Sequence, residues 1–193
     1  MNDRIFEVVI TTCAPGGAVH VAPMGVRYVE DEVVLKPFRP SRTLDNLLAT
    51  RTAVLNTVTD VRVFAGCVTG RKDWPTLPVE AASGAVRLAC ADAHVLLRLA
   101  VADDDTQRPT LRLVRVHEEH HATFAGFNRA QAAVVEGSVL ASRLHLLPRE
   151  KIETEMAYLQ IAIDKTAGPL EREAWGWLQQ AVARHFAPAL GEA

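Results

Sequence analysis

The sequence predicts a mainly β fold with α elements: an antiparallel barrel, closed or split, with one short inserted helix and a helical C-terminal third. Three observations carry this reading. Short apolar runs with strand-like alternation succeed one another, with turn signals between them, across residues 5–118. One basic, hydroxyl-rich turn interrupts that series and opens a helix at residues 42–49. Beyond residue 126 the apolar spacing changes to that of helices. Strands in hairpin succession are best accommodated by closing the sheet, because closure removes exposed edges. The expected organisation is a barrel domain over residues 1–125 and a helical region over residues 126–193, packed on it as a single structural unit.

Residues 5–12 alternate and are β-branched, which makes a first strand, and Pro15-Gly16-Gly17 is a turn. Residues 20–29 form a second strand, Glu30-Asp31 a hairpin bend, and residues 32–38 a third strand. Ser41 is suited to cap the inserted helix. A strand over residues 52–58 follows, then a short helix through Phe64 capped by Thr59 or Asp60. Trp74, Pro75 and Pro78 mark residues 71–79 as a long loop. Strands resume at residues 85–88 and 94–102. Asp103-Asp104-Asp105 begins a polar turn, and residues 110–118 are the last long strand.

In the C-terminal third, Asn128 with Gln131 three residues on gives a capping-box pattern. Val134, Gly137, Leu140, Ala141 and Leu144 share one helix face, and Pro148 ends that helix. Ile152, Met156, Leu159 and Ile163 mark a second helix. Pro169 fits the first turn of a third, where Glu171 and Glu173 complement the helix dipole and Trp177, Leu178, Ala181 and Val182 make the apolar face.

Composition excludes several function classes. The 193 residues fit one domain, or one domain with an appendage, and 49% hydrophobic residues supply a substantial core. The chain has 21 basic against 23 acidic residues, so it lacks the basic surplus of a protein that grips nucleic-acid phosphates. No apolar run is long enough to cross a bilayer. Met1-Asn2-Asp3-Arg4 leads straight into a strand pattern, so no signal peptide is expected. Cys13, Cys67 and Cys90 are odd in number and lack metal-type spacing, which fits a soluble protein of the reducing cytoplasm. A redox role for Cys13 stands beside the commoner inert thiol.

The stretch from His20 to Asn56 carries the chemistry. Arg39, Ser41 and Thr43 bring charge and hydroxyl donors to a helix start, where a phosphate can sit. Asn46 lies one turn beyond Thr43 on the same helix face. The same residues also make an ordinary N-cap with a solvated arginine. Pro23-Met24-Gly25 and Lys36-Pro37-Phe38 flank this turn and can present backbone and side chains to a planar ring, with Gly25 permitting close approach. No acid–base side chain is legible, so proton transfer is left to His20, to water or to no group of the protein.

The order of these motifs resembles the domain-of-unknown-function family 447. The matching residues are Ala22-Pro23-Met24-Gly25-Val26, Pro37-Phe38 with Ser41, Thr43 and Asn46, and Asn56 after an apolar strand. Downstream stand Phe127-Asn128-Arg129-Ala130, Val134-Val135-Glu136, and Lys165-Thr166-Ala167-Gly168 with Glu171. The resemblance implies a flavin-reductase-like split barrel that binds FMN as a homodimer, with the cofactor near the subunit interface. Arg39, Ser41, Thr43 and Asn46 would then hold the phosphate and ribityl chain. Pro23, Met24 and Gly25 would run alongside the isoalloxazine, with Pro37 and Phe38 nearby, and Lys36 would sit near its N1–C2 edge. Asn128 and Arg129 would contact the cofactor of the partner subunit, and Lys165 and Thr166 the flavin or substrate, beside their plainer readings as a helix cap with a surface charge and a helix C-terminus. The function so implied is an oxidoreductase moving hydride or electrons between a donor and a small, pterin-like substrate. A non-catalytic flavin carrier or sensor is the alternative.

One motif competes. His117-Glu118-Glu119-His120-His121 matches the H-E-x-x-H pattern of zinc hydrolases, which works on a helix. Here it continues an alternating strand, where His117 and His121 would stand too far apart for one ion. No metal is expected from it.

Overall fold

The computed structural model describes residues 4–103 and 105–187. Met1-Asn2-Asp3 and Asp104, which the sequence places in the chain start and the polar turn, lie outside them. The elements in chain order are β1 (Phe6–Cys13), β2 (Val19–Val29), β3 (Glu32–Leu35), α1 (Arg42–Thr50), β4 (Thr52–Thr57), α2 (Arg62–Val68), β5 (Thr76–Pro78), β6 (Val86–Leu88), β7 (Ala93–Ala102), β8 (Leu111–His120), α3 (Arg129–Ser142), α4 (Arg149–Thr166) and α5 (Pro169–Phe186). They form two compact units. Residues 4–59 and 72–124 make the first, and residues 60–71 and 125–187 the second. Helix α2 therefore clusters with the C-terminal helices.

In the first unit six strands close into a barrel in the order β1-β2-β3-β8-β7-β4, all pairs antiparallel. Alternation places Val8, Ile10, Val26, Val33, Leu35, Leu55, Val95, Leu97, Leu99, Leu111 and Leu113 in one buried cluster. Leu44 and Leu47 of α1 join that cluster, so the inserted helix packs against the core through one face. On the other sheet face, Val54 and Leu96 are covered by Val79, Ala85 and Ala82. Two side chains fasten this cover. Buried Asn56 donates to the Val9 and Val54 carbonyls at 3.1 and 3.2 Å and accepts from the Leu88 N–H at 2.8 Å. Thr11 donates to the Val86 carbonyl at 2.5 Å. Asn56 thus satisfies backbone groups of three strands.

Several sequence expectations are corrected. The third strand ends at Leu35, not residue 38, because Pro37 has no N–H to give a ladder and restrains the residue before it. The helix expected through Phe64 is α2, with Val61 at its N-cap and no side-chain cap. Asp60 instead accepts the Arg62 N–H at 3.2 Å and pairs with the Arg62 guanidinium at 2.7 Å. The loop over residues 71–79 contains β5, which pairs with β6.

The second unit is helical. Asn128 caps α3, its Oδ1 accepting from Ala130 and Gln131 N–H at 2.8 and 3.2 Å. The expected capping box is not completed, because the Gln131 amide reaches Glu171 Oε1 at 3.3 Å instead. Helix α3 ends at Ser142, and Pro148 stands at the N-cap of α4. In α5 the buried apolar residues are Ala174, Trp175 and Leu178, with Trp177 only half-buried under Arg71. The apolar stripe expected from Trp177 is thus shifted by the Trp175 indole, whose Nε1 donates to Gln160 Oε1 at 2.6 Å.

Gly137 of α3 faces that indole. A Cβ there would lie 2.8 Å from Trp175 Cζ3. Gly137→Ala should gain up to about 1 kcal/mol of helix propensity and lose about 1–3 kcal/mol to overpacking. The ring is buried and tethered to Gln160, so overpacking wins. A lower urea midpoint with unchanged slope is the expected result; a higher midpoint would show that the indole yields.

Candidate functional site

The β2–β3 ladder runs only from the Val29–Glu32 pair to the Val26–Leu35 pair. Residues 19–25 of β2 are paired with β1 and have no β3 neighbour. Pro23 falls in this stretch, where a missing N–H costs no β3 bond. Beyond Leu35 the chain leaves the sheet, and α1 starts after Ser41, which accepts the Leu44 N–H through Oγ at 3.3 Å. The first-turn N–H groups of α1 have no carbonyl within the helix, and the helix dipole adds partial positive charge.

The helix is fixed to the barrel by a buried bond: Asn46 Nδ2 donates to Thr12 Oγ1 at 2.9 Å. Thr12 stands opposite His20 in the β1–β2 ladder. His20 is half-buried, and its pKa is lowered by burial first and then by the positive charges of Arg42 and Lys72. Arg42 opens α1, and Lys72 precedes Trp74 and Pro75, which with Val19 and Val21 line a cavity against β2. Arg42 at the start of α1 and Lys72 therefore both act on the half-buried His20, which lies in the stretch of β2 that β3 does not cover. Asp45 in the first turn of α1 and Asp73 beside Lys72 are the neighbouring carboxylates.

Each sequence candidate now has a place. Ser41 is the N-cap, and Thr43 and Asn46 are buried on the inner face of α1. Met24 packs against the barrel core, whereas Pro23 alternates to the opposite face. Gly25 is exposed opposite Glu7, and a Cβ there would meet Ile5 Cγ2 at 2.7 Å. Pro37 is buried. Phe38 is 65% exposed, with the Arg108 guanidinium 4.4 Å from its ring centre. Lys36 and Arg39 belong to a different neighbourhood, the β7–β8 turn. The Lys36 carbonyl accepts from Arg108 Nε at 3.3 Å, and the Arg39 N–H donates to the Gln107 carbonyl at 2.9 Å. The exposed carboxylates of Asp103 and Asp105 are held below the usual range, chiefly by backbone N–H bonds, with Lys36 and Arg39 adding smaller effects.

In the helical unit Asn128 and Thr166 meet. Asn128 Nδ2 donates to the Thr166 carbonyl at 3.2 Å, and Thr166 Oγ1 accepts from Ala130 N–H at 3.0 Å while donating to the Ala162 carbonyl at 2.8 Å. Their polar groups join the start of α3 to the end of α4. Arg129 and Lys165 are exposed.

Sequence reasoning missed Arg42 and Lys72. Arg42 was legible as the first residue of the helix, but Lys72 is distant in sequence and only the fold brings it near. Burial raises the Cys13 thiol pKa, which disfavours a reactive thiolate. The His117–His120 segment lies on β8, so the helical zinc-hydrolase geometry is not formed. No helix among the described residues is long and apolar enough to cross a membrane.

The comparisons with known proteins agree with this architecture. Residues 6–122 match the N-terminal domain, and residues 128–180 the C-terminal domain, of the protein of unknown function DUF447. No curated protein matches the chain. Among solved structures, the FMN-bound protein MM1853 from Methanosarcina mazei superposes with a TM-score of 0.77 at 21% identity, covering 92% of this chain and 94% of that one. The NADH:FAD oxidoreductase SgcE6 of Streptomyces globisporus matches with a TM-score of 0.51 at 12% identity, over 60% of this chain and 75% of that one. Flavoredoxin from Methanosarcina acetivorans gives 0.51 at 9% identity, over 63% and 74%. The fold is that of flavin-reductase-like split barrels.

The depressed His20 pKa has a measurable sign. A histidine whose folded pKa lies below its unfolded value of 6.5 contributes stability that is present above pH 6.5 and lost as pH falls through the folded pKa. NMR titration should place His20 below 6.5. Arg42→Gln should move it upward but leave it below 6.5, since burial is the larger cause. A midpoint unmoved by the substitution would separate Arg42 from this site.

Proposed function

The chain belongs to the DUF447 family, and from that premise we propose that it is an FMN-dependent oxidoreductase acting on a small substrate, with a pterin-like ring system as one candidate. The observation that carries this reading is the convergence of the α1 N-terminus, Arg42, Lys72 and His20 beside the part of β2 that β3 does not cover. That donor set suits a phosphate dianion: oriented N–H groups, two side-chain cations and a histidine that gains charge when an anion arrives. Ser41 can accept from Leu44 and still donate its hydroxyl proton. Asn46 holds the helix in place through Thr12, so its role toward the phosphate is one of positioning. Pro23, Met24 and Gly25 offer a backbone edge to a planar ring, and exposed Phe38 offers an apolar face.

When bound, FMN supplies the hydride or electron transfer, and the protein supplies binding and electrostatics. Arg42 and Lys72 would neutralise the phosphate, and the β2 edge would orient the ring. The reading includes a homodimer with the cofactor near the subunit interface. It also includes a reducing, cytoplasmic setting, which the three cysteines, odd in number and without metal-type spacing, suit.

Added FMN should remain with the protein through gel filtration and show a perturbed flavin spectrum. Arg42→Ala should weaken FMN about 10–100-fold, about 1.4–3 kcal/mol for a lost charge-assisted contact. Arg39→Ala should weaken it less, since Arg39 lies by Asp105. FMN binding should also raise the His20 pKa. Equal affinity in a folded Arg42→Ala variant would remove this phosphate site. If nicotinamide and protein donors leave the bound flavin oxidised, the chain is a flavin carrier and not an oxidoreductase.

A further inference from the structure

Strands β7 and β8 bring together a second polar cluster that the flavin reading does not use. His94 stands opposite Glu119 in their ladder, and Leu96 opposite His117. Paired residues share a sheet face, and so do residues two apart, which puts His94, His117 and Glu119 on one face. The register then shifts between Leu96 and Leu97, and Val116 has no opposite number. Bulges of this kind re-aim neighbouring side chains. Potential ligand atoms of His94, His117 and Glu119 all lie within 4.8 Å of one another.

His94 is the unusual member. It is 1% exposed, and its Nε2 is a buried side-chain atom without a hydrogen-bond partner. Leaving such an atom unsatisfied costs about 1–3 kcal/mol. Its other nitrogen, Nδ1, is 2.9 Å from His121 Nε2, and the two rings stack 5.1 Å apart at an interplanar angle of 4°. When Nδ1 donates to His121, Nε2 carries the lone pair. A metal-bound histidine is oriented in this way, with one nitrogen on the ion and the other N–H held by a neighbour. His117 and Glu119 are exposed, so an ion can enter from solvent.

We propose that His94 through Nε2, His117 and Glu119 form a binding site for a borderline divalent cation of the zinc class, with His121 orienting His94. Two imidazoles and one carboxylate are a known donor set for zinc, and a water completes four-coordination. Bonds of about 2.0 Å in a tetrahedron separate the ligand atoms by roughly 3.3 Å. The exposed side chains of His117 and Glu119 must therefore close in by up to about 1.5 Å from separations within 4.8 Å. The Glu119 carboxylate also opposes the positive charge of Arg87, which acts on His94. The site differs from the H-E-x-x-H reading in its residues: Glu119 is a ligand, His94 comes from another strand, and His121 supports instead of binding the ion.

The test is a titration of chelator-stripped full-length protein with Zn2+ and Co2+. One equivalent should bind, and Co2+ should give visible absorption bands of a low-coordinate site. His117→Ala and Glu119→Gln, both at exposed positions, should each weaken Zn2+ at least tenfold. His121→Gln should weaken it about 10–100-fold, as expected for a residue that orients a ligand. FMN retention should not change in any of these variants, which keeps the outcome independent of the flavin reading. Wild-type affinity for Zn2+ no tighter than that of the His117→Ala/Glu119→Gln double variant would overturn the proposal, as would Co2+ spectra indistinguishable from the free ion.

Discussion

The early end of the β2–β3 ladder is the constraint on which the candidate site depends. A four-residue strand, β3, meets an eleven-residue strand, β2, and pairing stops at Leu35. Pro37 enforces the stop, since it has no N–H to extend the ladder. The chain must then leave the sheet, and Ser41 gives it a capped helix to enter. Were β3 to continue beside β2, the edge from Val19 to Gly25 would be covered. Helix α1 would also lose the space in which its start lies near His20.

Burial of the helix's inner face holds this arrangement in place. Leu44 and Leu47 enter the barrel core, and Asn46 spends its amide on Thr12. A helix of this length would not be stable alone in water, so its geometry is set by the surface it packs on. That anchoring fixes where the positive end of the helix points and where Arg42 stands. Preorganised donors lose little on binding an anion, and so a short helix can serve as an anion cradle.

The opposite sheet face is organised by polar bonds. Asn56 and Thr11 satisfy backbone groups of β1, β4 and β6, and they hold the cover over Val54 and Leu96. His94 stands beside Asn56 in the β4–β7 ladder and is as deeply buried, yet one of its nitrogens has no partner. Two neighbouring polar residues in one buried layer thus differ sharply. Asn56 is spent on structure, and His94 has bonding capacity left over.

Local patterns were legible wherever a single element decides the outcome. Alternation in β1, β2, β7 and β8, the Ser41 and Asn128 caps, and Pro169 in the first turn of α5 all follow from neighbouring residues. The resemblance to family 447 was legible too, because its motifs run in order along the chain. Tertiary structure decided what depends on distant partners. Gln131 turned to Glu171 because α5 offered a carboxylate, and Trp175 took the buried place that Trp177 was expected to share. Lys36 and Arg39 turned toward Asp103 and Asp105, while Arg42 and Lys72 met at His20. Charges act through space and not along the chain, so the sequence by itself determined a basic, hydroxyl-rich turn on a barrel, and only the fold decided which cations act on His20 beside it.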